Sequence, residues 1–135
     1  MENIDAGSHR FSNAAQWESW LADQHDDAVE VWLVIAKQGT EGLTIGEALD
    51  VALCFGWIDS HRKALDERHF LQRYSPRRAK SPWSQLNVMK AEALIAAGRM
   101  REPGFAAIEA AETDGRWAAA TPRAARPMPS LEQAS

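Results

Sequence analysis

Apolar positions recur along this chain in two rhythms. Trp17, Trp20 and Leu21 fall at helical spacing, and Ser12 or Asn13 ahead of them can cap the helix they predict, which runs to about Gln24. From Val29 to Ala36 the rhythm changes to a run that is apolar on both faces, Val31, Leu33 and Ile35 alternating with Trp32, Val34 and Ala36. Such a run predicts a buried central strand. Thr44 with Glu47 three residues on matches a capping box, and Ile45, Ala48, Leu49, Ala52 and Leu53 form the stripe of the helix behind it. Gly56 suits a left-handed helix stop. Trp57 to Leu65 and His69 to Tyr74 then read as strands of an antiparallel hairpin around Asp66-Glu67-Arg68. No Asn-Gly or Asp-Gly pair fixes its register.

Ser75-Pro76 breaks the second strand. Ser81 followed by Pro82 predicts a helix start, with Val88, Ala91, Leu94 and Ile95 as the apolar line and Gly98 as the stop. A shorter helix is expected from Pro103 to about Thr113, ended by Gly115. The expected fold is α+β: a small sheet of about three strands, including the hairpin, packed against about four helices. The helix between Val29–Ala36 and Trp57–Leu65 makes those strands candidates for parallel neighbours joined by a right-handed crossover. Residues 1–10 read as a flexible arm, 11–117 as a single domain, and 118–135, rich in Ala, Pro and Arg without periodicity, as a disordered tail or truncated linker.

Composition narrows the class. With 135 residues, 45% hydrophobic and 25% charged, the chain fits one soluble globular domain. No apolar run approaches the roughly 18 residues of a spanning helix. The acidic, polar start from Met1 to His9 lacks the basic and apolar regions of a signal peptide, so a cytoplasmic protein without membrane attachment is expected. Cys54 is the one cysteine, flanked by Leu53 and Phe55, and reads as a buried free thiol. The net charge of −4 hides an asymmetry: residues 1–60 hold eleven acids and two bases, residues 61–80 seven bases and two acids. One basic stretch in an acidic protein predicts a single anion site or internal ion pairing more than phosphate-backbone binding.

The candidate chemistry lies between Gly56 and Asn87. Arg77 or Arg78 could clamp a carboxylate or phosphate in bidentate fashion, with backbone N–H groups at Trp83 and Ser84 adding donors at a helix start. Trp57 or Trp83 could stack on a planar part of the ligand, and Asn87 could read an amide or hydroxyl. If the hairpin turns tightly, Ser60 falls opposite Arg73 and Asp59 opposite Tyr74. Strand alternation then places Trp57, Asp59 and His61 on one face, and Ser60 and Arg62 on the other. The expected site is Trp57, Asp59, Arg77, Arg78, Trp83, Ser84 and Asn87. The plain alternative is structural: Asp59 pairs with an arginine, Ser81 caps, and the tryptophans fill core. Ser60 and His61 are adjacent and point to opposite faces, so they make no nucleophile–base pair. No cysteine or carboxylate set completes a metal pattern, and no Gly-rich phosphate loop is present, so neither metal nor cofactor is expected.

Ala52-Leu53-Cys54-Phe55-Gly56-Trp57-Ile58-Asp59-Ser60, Tyr74-Ser75-Pro76-Arg77-Arg78, Ser81-Pro82-Trp83-Ser84 with Asn87, and Gly115-Arg116-Trp117 together resemble the YdeI/OmpD-associated, or bacteriocin-protection, family of bacteria. The resemblance covers about residues 10–118. It implies protection against bacteriocins or antimicrobial peptides and a link to an outer-membrane porin, and it carries no catalytic residue or cofactor. Longer members continue into a C-terminal segment, of which Pro129-Ser130-Leu131-Glu132 would be the first residues. The favoured expectation is a cytoplasmic binding module for a small anionic ligand or a short peptide. A second is an enzyme on an anionic small molecule, with Asp59 as general base. A third, against the acidic first half, is single-stranded nucleic-acid binding through the basic hairpin, with Trp57, Tyr74 and Trp83 stacking on bases.

Overall fold

A computed structural model describes residues 8–120. The arm is expected over residues 1–10 and the tail over 118–135; residues 1–7 and 121–135 lie outside the described part. Within it the chain runs β1 (Ser8–His9), α1 (Ala14–Gln24), β2 (Val31–Ala36), α2 (Ile45–Cys54), β3 (Trp57–Ala64), β4 (His69–Pro76), α3 (Gln85–Ala96), α4 (Glu102–Thr113) and α5 (Arg116–Ala120). The α+β class holds, with four strands and five helices among the described residues. The two elements beyond expectation are short pieces at the margins. Ser8 and His9 pair in parallel with Trp32 and Leu33, so the end of the expected arm is a strand. Residues 116–120, partly assigned to the tail, form a helix.

The sheet order is β1-β2-β4-β3. This corrects the expected adjacency of β2 and β3. The second hairpin strand inserts between them, antiparallel to both, with Val31 opposite Tyr74 and Asp59 opposite Tyr74 from the other side. Insertion gives β4, with Leu71, Gln72 and Tyr74 all buried, two hydrogen-bonding neighbours and leaves the exposed β3 at the edge.

One face of the sheet carries Val31, Leu33, Ile35 and Tyr74, and the helices cover it. Trp17 and Leu21 of α1 and the stripe of α2 join these residues in one core. Burying a tryptophan requires a partner for its N–H. Trp17 Nε1 donates to the Ala48 carbonyl at 2.9 Å, which fastens α1 to α2. Asn13 caps α1, and Thr44 and Glu47 form the expected capping box on α2. Gln72 is the buried polar side chain on this face. It donates to the His61 carbonyl and accepts from Arg62 Nε, both at 3.0 Å, so the burial leaves no orphan amide.

That arrangement depends on a bulge. The β3 register shifts between Asp59 and Arg62, which brings Arg62 opposite Gln72. The strict alternation expected from sequence therefore fails past Asp59. Arg62 joins the face of Asp59, two positions from Tyr74 along β4, and its guanidinium lies 4.2 Å from the Phe70 ring centroid. On the opposite face Arg73 bonds Glu30 and reaches Ser60 Oγ at 3.0 Å, and Lys63 sits 4.5 Å over Trp32. Among the described residues no helix is long and apolar enough to cross a membrane.

Two predictions concern this frame. Gly104 lies where α4 crosses the end of α2. An added Cβ would meet the Cys54 carbonyl oxygen at 2.5 Å and that of Leu53 at 2.8 Å. Gly104→Ala should cost about 1–3 kcal/mol, seen as a lower urea midpoint at unchanged slope. At the hairpin turn, Asp66 accepts from the Arg68 and His69 backbone N–H groups at 2.8 Å each and faces His69 Nδ1 at 3.0 Å. These bonds, the Arg68 one foremost, hold its carboxyl below the usual carboxylate range. Their contribution is present above that range and is lost as pH falls through the lowered value. Amide exchange at Arg68 and His69 should accelerate over that acid window beyond the intrinsic pH trend, with the α2 amides unaffected.

Candidate functional site

The chain leaves α2 through Gly56, whose φ of +75° is a left-handed conformation open to glycine at little cost. Its carbonyl accepts from the Arg77 backbone N–H at 3.0 Å. That bond extends the β3–β4 pairing one step past Pro76 and fixes where Arg77 leaves the sheet. Residues 77–84 then run irregularly, and α3 begins at Gln85, not at the expected Pro82. Side chains hold the carbonyls that would open a helix at Pro82: Arg116 Nη1 donates to that of Ser81, and Arg77 Nη1 to that of Pro82 at 3.1 Å and to Ser81 Oγ at 3.2 Å. Ser84, not Ser81, is the cap, its Oγ accepting from the Asn87 N–H at 3.0 Å.

Arg77 stacks on Trp83, its guanidinium carbon 3.7 Å from the ring centroid. Trp117 abuts Trp83 edge-on at 4.9 Å. Arg116 reaches across from α5, bonding the Ser81 carbonyl through Nη1 and both Asp114 carboxylate oxygens through Nε at 2.9 Å. Beside these groups lies a cleft of about 190 Å³, with Arg77, Arg78, Trp83 and Arg116 on one side and Pro103, Ala107 and Ala110 of α4 on the other. Gly56 and Ala79 complete its lining.

Three donors at this place have no partner among the described residues: Nε and Nη2 of Arg77 and Nε1 of Trp83, all buried. Buried donors are almost always paired, and leaving one unpaired costs about 1–3 kcal/mol. Nε and Nη2 form one edge of the planar guanidinium, with parallel N–H bonds, which is the edge that grips a carboxylate or phosphate with two hydrogen bonds. Burial, and then the Arg116 charge, push the Arg77 guanidinium down to about 10, only partly offset by Asp59. The sign is that of a cation short of negative charge: the folded state holds this proton less tightly than the unfolded chain does.

The expected site residues divide. Arg77, Arg78 and Trp83 line the cleft; Trp57, Asp59, Ser84 and Asn87 are not among its lining. Trp57 is 1% exposed, packed edge-on against Trp20, and cannot stack on a ligand. Trp83 is 8% exposed with a cation already on its ring, so its stacking role passes to Arg77 and its N–H is what remains. Asp59 is half-buried beside Tyr74 and makes no ion pair with any described residue, against the structural alternative of an arginine partner. Burial and the Asp59 charge push the Tyr74 phenol up, and its buried hydroxyl has no partner among the described residues. Trp57 and Tyr74 are closed to a nucleic-acid base. Cys54 is enclosed, with burial raising its thiol to about 11, out of the range of a reactive thiolate. Among the described residues no group of three or more His, Cys, Asp or Glu side chains could hold a metal ion. Sequence reasoning left out Arg116 and the α4 wall. The Asp114-X-Arg116 pair after a helix end was visible, but its bond to Ser81, 35 positions away, was not.

Fold and cleft together define a small α+β domain with an arginine-lined cleft between the end of a β-hairpin and a helix face. Residues 9–107 match the family described as Domain of unknown function (DUF8412), and the chain belongs to it. No curated protein and no solved structure matches the chain.

Removing the Ser84 hydroxyl tests its assignment as a cap. Ser84→Ala should lower stability by about 1 kcal/mol in a urea melt, whereas Ser81→Ala should cost measurably less.

Proposed function

We propose that this domain is a binding module for an anion gripped by the Nε–Nη2 edge of Arg77. The observation that carries the reading is that edge, buried and bonded to no described protein group, on an arginine that lines the cleft together with Arg78 and Arg116. A scaffold using Arg77 only as a strut would need Nη1 alone, which already holds the 77–82 segment through Ser81 and Pro82. The remaining donors are costly in the free protein and become favourable only when an acceptor arrives. Positively charged neighbours would draw such a ligand, while the acidic remainder of the chain disfavours wholesale polyanion binding. Under this reading the protection against bacteriocins or antimicrobial peptides implied by the sequence resemblance would be exerted by capture. Catalysis by Asp59 gains no support, since Asp59 does not line the cleft.

The test is thermal unfolding with a panel of small anions. A ligand at a hundredfold excess over its Kd should stabilise by about 2.7 kcal/mol, a rise of several degrees in Tm. Arg77→Met keeps much of the stem over Trp83 but removes the donors. It should abolish the ligand-induced rise while leaving the unliganded protein folded. A rise that persists in Arg77→Met places the ligand elsewhere and overturns the proposal.

A further inference from the structure

Resting on the anion reading of this cleft, we infer that the ligand is a monocarboxylate carrying a short aliphatic body. The first argument is charge. Of the cations around the cleft, Arg116 is already neutralised by both oxygens of Asp114, and Arg78 is exposed to water. Arg77 is the one guanidinium here that is largely withdrawn from water without a carboxylate bonded to it, and Asp59 offsets its charge only in part. One uncompensated cation is balanced by a single negative charge. A dianion's second charge would find no buried cation to meet it, since Arg116 is held by Asp114 and Arg78 stands exposed to water.

The second argument is the donor count and its geometry. Two parallel N–H groups of Arg77 match the two oxygens of a planar carboxylate, and Trp83 Nε1 offers one more bond to a second lone pair. A phosphate or sulfate would carry further oxygens toward the opposite wall. That wall is Pro103, Ala107 and Ala110, whose side chains offer no donor, so those oxygens would lose water without replacement.

The third argument is the wall itself. Gly56, Ala79, Ala107 and Ala110 are small, and the cleft exists because they are. Its 190 Å³ has room for several waters. That holds a carboxylate and a few carbons, with methyl groups facing the carbons. The same chemistry is presented by a free short-chain acid and by the C-terminal residue of a peptide with a small side chain.

The experiment is a titration of the full chain, by calorimetry or chemical-shift perturbation, with formate, acetate, propionate and butyrate, and with inorganic phosphate. Each methylene that enters the cleft should tighten binding by about fourfold, from about 0.8 kcal/mol per buried methylene. Ala110→Leu, at an exposed position on α4, should flatten that dependence. N-acetyl-Gly-Ala against its C-terminal amide separates the two sources: binding of the acid above butyrate assigns a peptide C-terminus, and binding below it a free acid. Affinity indifferent to chain length, or phosphate bound more tightly than butyrate, both lost in Arg77→Lys, would overturn the aliphatic carboxylate and leave the anion pocket standing. No Arg77-dependent binding of any of these anions removes both.

Discussion

The hydrogen bond from the Arg77 backbone N–H to the Gly56 carbonyl is the constraint on which the rest of this structure turns. It joins the end of the second hairpin strand to the corner where α2 gives way to β3. Gly56 can stand there because its left-handed backbone redirects the chain. Its lack of a side chain also matters, since a Cβ would lie 2.8 Å from the Pro103 carbonyl oxygen. One residue thus meets helix, hairpin and α4 at once. The arginine that follows Pro76 inherits a fixed origin and needs only its side-chain torsions ordered by Trp83, Ser81 and Pro82.

Preorganisation of this kind has an energetic direction. Arg77 stays in a partly buried place, stacked and half satisfied, although two of its donors go unmet. Interiors rarely tolerate this, and sites that do so are drawn disproportionately from those that meet a ligand. The aromatic and aliphatic groups around it hold the guanidinium plane still, so an incoming acceptor would not pay to order it.

Much of the fold was legible because its signals are local. The Thr44–Glu47 box, the two-sided apolar run of Val31–Ala36 and the Asp66 turn each act within a few residues, and each appears where the pattern places it. Strand order was not legible, because the placement of β4 between β2 and β3 is decided by pairings across the whole chain. The β3 bulge escaped for a related reason: it brings Arg62 opposite Gln72, a cross-strand pairing invisible to alternation. At the site, Arg77, Arg78 and Trp83 were readable as an unusual cluster. The false start at Ser81 came from a sound local rule overruled by two long side chains, since Arg116 takes the Ser81 carbonyl and Arg77 the Pro82 carbonyl that such a helix would use first. Trp57 and Asp59 were read as pocket residues from residue type and strand alternation; Trp57 is enclosed against Trp20, and Asp59 is half-buried beside Tyr74 outside the cleft lining.

The bulge in β3 has a bearing on the company this protein keeps in solution. An eight-residue strand at the rim of a sheet offers a row of unpaired backbone groups to any passing chain. Here the register breaks midway, so no straight stretch of that rim spans the full strand, and Arg62 and Lys63 stand just beyond the break. Like charges would meet if two such rims approached antiparallel. The irregularity that lets Arg62 satisfy Gln72 inside the sheet therefore also guards its outer margin against self-templated growth.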